Sequence, residues 1–213
     1  MAVHNTRYGA HYWGAGEIDV YESSPNDLYR YTAYIGSQKI PEIDRGGSHL
    51  MVADERKSVI WTAQTDEQNS NHIAVHIAGY QCGEKSVSVS ERVNLPYING
   101  CATRQLFAPE RIGDPTFQQL TMPPFTSEQA HHIHPTARVV YVLEGKGWSI
   151  VGQSGDDEEI ELLAGMTCVL DPMCPHHFRT EETPLTVLPI HIFSSTPEAM
   201  ESNHPMFNGT KEV

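Results

Sequence analysis

Two imidazoles two residues apart, His132 and His134, lie in the run His131-His132-Ile133-His134, just ahead of the apolar stretch Val139-Val140-Tyr141-Val142-Leu143. Side chains at i and i+2 of an extended strand share a face, so these two rings can converge on one point inside a sheet or barrel. Imidazole is the commonest protein ligand for late first-row metals. A second strand end, Asp171-Pro172-Met173-Cys174-Pro175-His176-His177, offers a third imidazole. Two strands that bring three imidazoles together imply a metal centre.

The elements that must hold these residues read as β throughout. Apolar residues come in short β-branched or aromatic runs separated by Gly, Pro, Asn and Asp, the pattern of an all-β protein. The first half offers strands over Tyr29–Ile35, Ser58–Ala63, Asn71–Tyr80 and Lys85–Val89. The second half offers Thr116–Met122, Arg138–Leu143, Gly147–Val151, Glu159–Leu163, Thr167–Leu170 and Thr186–Phe193. Turns are expected at Glu144-Gly145-Lys146-Gly147, Ser154-Gly155-Asp156-Asp157 and Ala164-Gly165. Such regular spacing suggests a closed barrel or sandwich. The first 25 residues read as an irregular arm and Ser195–Val213 as a loose tail. A split near Asn99-Gly100 divides the chain into a β-rich extension or degenerate half-barrel (1–100), a barrel core carrying the metal site (101–195) and a tail (196–213).

The chain has 213 residues and a formal charge of −13. That length can bury a sizeable core. The charge argues against nucleic acid, which needs clustered Lys and Arg on phosphates, and against anionic membranes. No run reaches the roughly 18 apolar residues of a membrane span, and the start lacks the pattern of a secretory leader. A cytoplasmic protein is expected, with Cys82, Cys101, Cys168 and Cys174 as reduced thiols.

Residues 132–145 resemble the first signature of the cupins: His132-Ile133-His134, three residues, Arg138, then six residues to Gly145. Residues 165–176 resemble the second, with Gly165 and His176 at their spacing and Asp171 and Met173 where Pro and Gly are usual. The resemblance covers about residues 115–193. It implies a cupin-type double-stranded β-helix, a jelly-roll-like antiparallel barrel, here with an N-terminal β-rich extension. Carried over by position, the metal ligands are His132, His134 and His176. An alternative alignment through Pro172 and Cys174 makes His177 the ligand instead.

Arg138 stands where the family places a ligating glutamate, and a guanidinium cannot coordinate a metal. The site therefore resembles the three-histidine cupins, which include thiol, ring-cleaving and diketone-cleaving dioxygenases. Three neutral imidazoles leave a divalent charge uncompensated, and an inward Arg138 adds to it. Such a pocket favours a small anionic substrate, which Arg138 can clamp through paired hydrogen bonds. Parity with His132 and His134 turns Arg138 inward if the strand is unbroken. A bulge at Pro135 reverses that phase, turning Arg138 out and Tyr141 in.

The catalytic candidates are accordingly Arg138, Tyr141 and Glu128, with Gln129 beside the last. His131 and His177 are expected on the opposite face, His191 in the core or pocket wall, and His72 and His76 in packing roles. Cys174 is expected to be a small buried hydrophobe. The expected function is a mononuclear non-haem Fe(II) dioxygenase acting on a small anionic compound, with Zn, Ni, Mn or Cu as other possible metals. A Lewis-acid lyase or isomerase and a non-catalytic binding barrel are the alternatives. A homodimer is expected through the N-terminal arm.

Overall fold

A computed structural model describes residues 4–25, 30–36, 38, 40, 47–53, 58–62, 71–81, 83–89, 95–109, 113–192 and 211–212. Its strands in chain order are β1 (His4–Asn5), β2 (Ala10–Trp13), β3 (Asp19–Glu22), β4 (Tyr31–Ile35), β5 (Gly47–Ala53) and β6 (Ser58–Thr62). There follow β7 (Asn71–Ala78), β8 (Lys85–Ser88), β9 (Leu95–Pro96), β10 (Ala102–Phe107), β11 (Thr116–Met122) and β12 (His132–Ile133). The last are β13 (Ala137–Val151), β14 (Glu158–Leu163), β15 (Thr167–Leu170), β16 (His176–Arg179), β17 (Leu185–Ile192) and β18 (Lys211–Glu212). Among the described residues the one helical turn is a 3₁₀ piece at Ile98–Gly100, so the all-β reading holds. No helix there is long and apolar enough to cross a membrane.

The chain divides into two compact units, Ala15–Arg92 and the combination of Met1–Gly14 with Val93–Val213. The first carries an antiparallel sheet in the order β3-β4-β7-β5-β6-β8. The second carries the three-histidine run. Its main path is β1-β2-β15-β13-β17-β11-β10-β9, with β12, β14, β16 and β18 joined off that path.

β13 organises this second unit. Its first half pairs with β15 and β17, and its second half with β14 and β16. The expected turn at Glu144–Gly147 does not form; the strand continues through it for 15 residues. A bulge between Val142 and Glu144 and Gly145 at φ +84° bend the ribbon so that one strand serves both walls. Period-two alternation sends Val140 and Val142 into a core with Leu120, Met122, Cys168 and Val187. Val139 and Tyr141 lie on the other face.

The N-terminal segment is not the irregular arm its sequence suggests. Residues 4–13 form a hairpin whose β2 adds to the sheet beside β15, with Tyr12 opposite Cys168. Four residues between glycines are too few to announce a strand alone; the open edge of β15 supplies the ladder. Of the expected tail, Lys211 and Glu212 pair with β12, and 193–210 lie outside the described residues. The strand β16 was unread because His176-His177-Phe178-Arg179 carries little apolar signal.

Gly145 is irreplaceable on two counts, since a Cβ there would collide with the backbone of Pro184 and Leu185 at a positive φ. Gly145→Ala is expected to lower the urea-derived stability by about 3 kcal/mol. Gly155→Ala, equally left-handed at φ +88° but with open space around its Cβ, should cost only about 1 kcal/mol.

Candidate metal centre

The register pairs His132 directly with His176 across β12 and β16. Partners in an antiparallel ladder share a face, so two rings distant in sequence become neighbours. His134 joins them just beyond β12. Ring centroids are 4.6 Å apart for His132–His134 and His132–His176, and 5.4 Å for His134–His176. All three residues are buried, and each offers a ring nitrogen within 4.8 Å of the other two. They form the one such three-donor group among the described residues.

Backbone carbonyls set the tautomers. His132 donates its Nδ1–H to Ala130 O at 2.7 Å, and His176 donates Nδ1–H to Cys174 O at 2.7 Å. Each ring therefore keeps a lone pair on Nε2, the atom a metal would take. The turn before β16 is held to the cluster as well: Met173 N–H donates to His134 O at 2.7 Å, with Met173 in the left-handed region at φ +66°. Burial lowers the His132 imidazole to about 4, aided by the Arg138 charge and only partly opposed by its bond to Ala130. Burial and Arg138 also hold His176 well below its ordinary value. Neutral imidazoles are the form a metal requires.

Arg138 points inward and reaches this cluster. Its Nη1 donates to His176 Nε2 at 3.0 Å, and its Nε donates to His191 Nδ1 at 3.1 Å. Arg138 is only 6% exposed, and no carboxylate among the described residues lies within ion-pair distance of it. Burial draws the guanidinium down to about 9, with Glu128 and Tyr97 pulling the other way. The donor set fits a divalent late first-row ion chemically. The lone pair of His176 that would bind it is the one Arg138 now engages, so the ion and the guanidinium compete for that atom.

Comparison with known proteins agrees with the barrel. The family model described as "Cupin domain" matches residues 118–191. These residues are a cupin domain. The chain is similar to a Cupin 2 conserved barrel domain protein from Leptotrichia buccalis, at 16% identity and a TM-score of 0.55, covering 84% of this chain and 91% of that one. It is also similar to the polyketide cyclase RemF from Streptomyces resistomycificus, at 22% identity, TM-score 0.41, and 54% and 81% coverage. A third similarity is to the DMSP lyase DddQ from Ruegeria pomeroyi DSS-3, at 18% identity, TM-score 0.39, and 47% and 55% coverage. Of these, the first likeness bears on the fold alone. No curated protein matches the chain.

Other candidates fall in distinct places around the cupin site. Glu128 is buried, and burial pushes its carboxyl up to about 7 against the pull of Arg138 and a bond to the Phe178 backbone. Gln129 is buried beside it. Tyr141 is not brought to the cluster: β13 runs without a phase change from Arg138 to Val142, so Tyr141 takes the face opposite Arg138. His131 and His177 contact one another instead, with Nδ1 atoms 2.8 Å apart, and His131 also bonds to Gly152 O. Both stand one residue from a cluster histidine, on the other face. His76 is buried in β7 of the first unit. Cys101, Cys168 and Cys174 are buried free thiols, and Cys82 lies outside the described residues.

Sequence reasoning missed Tyr97 and Gln118. Tyr97 has no strand pattern to place it, yet its phenol is pushed up by burial and by Glu128 and drawn down by Arg138, so it shares their surroundings. Gln118 was findable, as a polar residue sharing parity with Leu120 and Met122 on a correctly read strand.

Two outcomes follow for the cupin domain. Above pH 6.5 the His132 ring is neutral in both folded and unfolded chains. Between 6.5 and about 4 only the unfolded chain takes up the proton, so stability falls with pH across that window, by about 3 kcal/mol for His132 alone. Urea titrations of metal-free protein from pH 8 to 4 should show this loss, and a His132→Phe variant should show less of it. Second, Arg138→Met removes the donor competing for His176 and a like charge, so zinc should bind at least tenfold tighter in a chelator competition assay.

Proposed function

We propose that this cupin domain is a metal-dependent enzyme acting on a small anionic organic substrate, and that a mononuclear non-haem iron dioxygenase is the reading its donor set favours. The observation that carries this is Arg138: a guanidinium charged at neutral pH, buried against His176 and His191 with no carboxylate among the described residues in ion-pair range. Buried charges are paired in stable proteins, and neutral imidazoles supply no counter-charge. An anionic ligand would complete the site.

His132, His134 and His176 would hold the metal, and ferrous iron bound there would supply dioxygen chemistry through its open coordination positions. The residues of the chain have separate tasks. The carbonyls of Ala130 and Cys174 hold two of the rings in the ligating tautomer. Arg138 turns its guanidinium from His176 to the anion and orients it through paired donors, while His191 keeps hold of its Nε. The buried apolar wall around Val140, Val142 and Leu120 keeps bulk water out.

A redox-neutral lyase or isomerase is the second reading, favoured by Glu128. A buried carboxyl held near neutrality can take or return a proton at a carbon acid.

Metal analysis by mass spectrometry, on protein purified without an affinity metal column, should find near one equivalent per chain. A His132→Ala/His176→Ala variant should lose it. Oxygen consumption by iron-loaded protein with screened carboxylates, enols and thiols then separates the two readings. Substrate turnover without oxygen uptake would remove the dioxygenase. Absence of metal even after anaerobic iron loading would remove both.

A further inference from the structure

The interior of the barrel holds a second polar group that the metal cluster does not use. Gln118 lies on β11 and is 1% exposed. Its Oε1 has no hydrogen-bond partner among the described residues. Leu120 and Met122, at the same parity, belong to the barrel core, so Gln118 faces inward.

The register places it relative to the site. Thr116 pairs with His191, which pairs with Arg138. Leu120 pairs with Val187, which pairs with Val142. Gln118 occupies the row between these two on the same inner face, two residues or about 7 Å along the strand from the Arg138 row. A buried acceptor left unmade costs about 1–3 kcal/mol, and an apolar residue of that size would avoid the cost. On one side the row Leu120–Val187–Val142 is apolar, as is Val140 in the row of Gln118 itself; on the other side the row Thr116–His191–Arg138 is polar, and on β10 Gln105 stands opposite with its Nε2 donating to Phe107 O. None of the described residues donates to this oxygen, which leaves the bond open to a ligand or to water.

We propose that Gln118 is a specificity-determining residue, its Oε1 accepting a hydrogen bond from a hydroxyl or amino group on a substrate whose acid group Arg138 holds. The substrate class is then a short hydroxy- or amino-carboxylate, with its donor separated from the carboxylate by a short apolar spacer that lies against Val140. This rests on the anion-binding reading of Arg138 given above.

The test uses zinc-loaded protein as a redox-silent form, with 3-hydroxybutyrate and butyrate as probes. These differ only in the hydroxyl. Dissociation constants come from ligand-observed NMR titration of the wild type, Gln118→Met, Gln119→Met and Arg138→Met. Gln119 is an internal control: its Oε1 is also buried without a partner, but on the opposite face of the strand. The hydroxy acid should bind the wild type about tenfold tighter than butyrate. That preference should fall below twofold in Gln118→Met and persist in Gln119→Met, and Arg138→Met should lose both acids.

Equal binding of the two acids by the wild type overturns the role of Gln118, as does a preference that survives Gln118→Met. Loss of both acids in Arg138→Met would still leave the anion site standing in those cases. Failure of either acid to bind the wild type overturns the anion reading and this inference together. A folding readout keeps the variant interpretable: Gln118→Met should melt at or above the wild-type temperature, because it removes an unpartnered buried oxygen. A lower melting temperature would show that Gln118 is bonded within the fold and overturn the proposal.

Discussion

A guanidinium accepts no hydrogen bond and keeps its charge at neutral pH, and the site is arranged around one that is buried. Arg138 donates to His191 and to His176, so both rings must present lone pairs to it. For His176 that requirement agrees with its Nδ1–H bond to Cys174 O; the same tautomer serves the arginine and a metal. A metal bound there would bring a second cation to the nitrogen that Arg138 engages. Holding both at once would be electrostatically costly, and an anion between them would relieve the cost.

The scaffold meets the demand with backbone rather than with side-chain pairs. Carbonyls of Ala130 and Cys174 orient two rings, and the Met173 amide ties the turn before β16 to His134. Met173 stands in the left-handed region there, at φ +66°, a conformation glycine adopts at less cost. The N-terminal hairpin braces the same turn from behind: Asp171 N–H donates to Gly9 O at 2.8 Å, and His11 bonds the Asp171 carboxylate at 3.2 Å. The bent β13 then carries Arg138 on one wall and the partner strand of His176 on the other.

Much of this was legible because strand periodicity is local. Thr116–Met122 and Thr167–Leu170 were read to the residue, and His132 and His134 announced a shared face through their spacing. The failures share a cause. β2 and β16 are only four residues long, and exist because a neighbouring edge completes their hydrogen bonds. The Glu144–Gly147 segment carries every local mark of a turn, yet pairing on both sides holds it extended. Tyr141 was placed in doubt by a possible bulge at Pro135; the break between β12 and β13 falls there, but Arg138 still enters the interior and leaves Tyr141 on the far face.

By itself, the sequence determined the chemistry available: imidazoles at strand spacing, an arginine in the slot of a carboxylate, a β-only alphabet and an acidic balance. These depend on residue identity and near neighbours, which the linear order contains. Only the tertiary structure decided which imidazoles meet, which ring nitrogen of His132 and His176 bonds the backbone, that Arg138 is buried with no carboxylate among the described residues in ion-pair range, and that Glu128 and Gln118 are removed from water. Those facts depend on register between strands far apart in sequence and on desolvation, which is a property of the closed barrel and of no single segment.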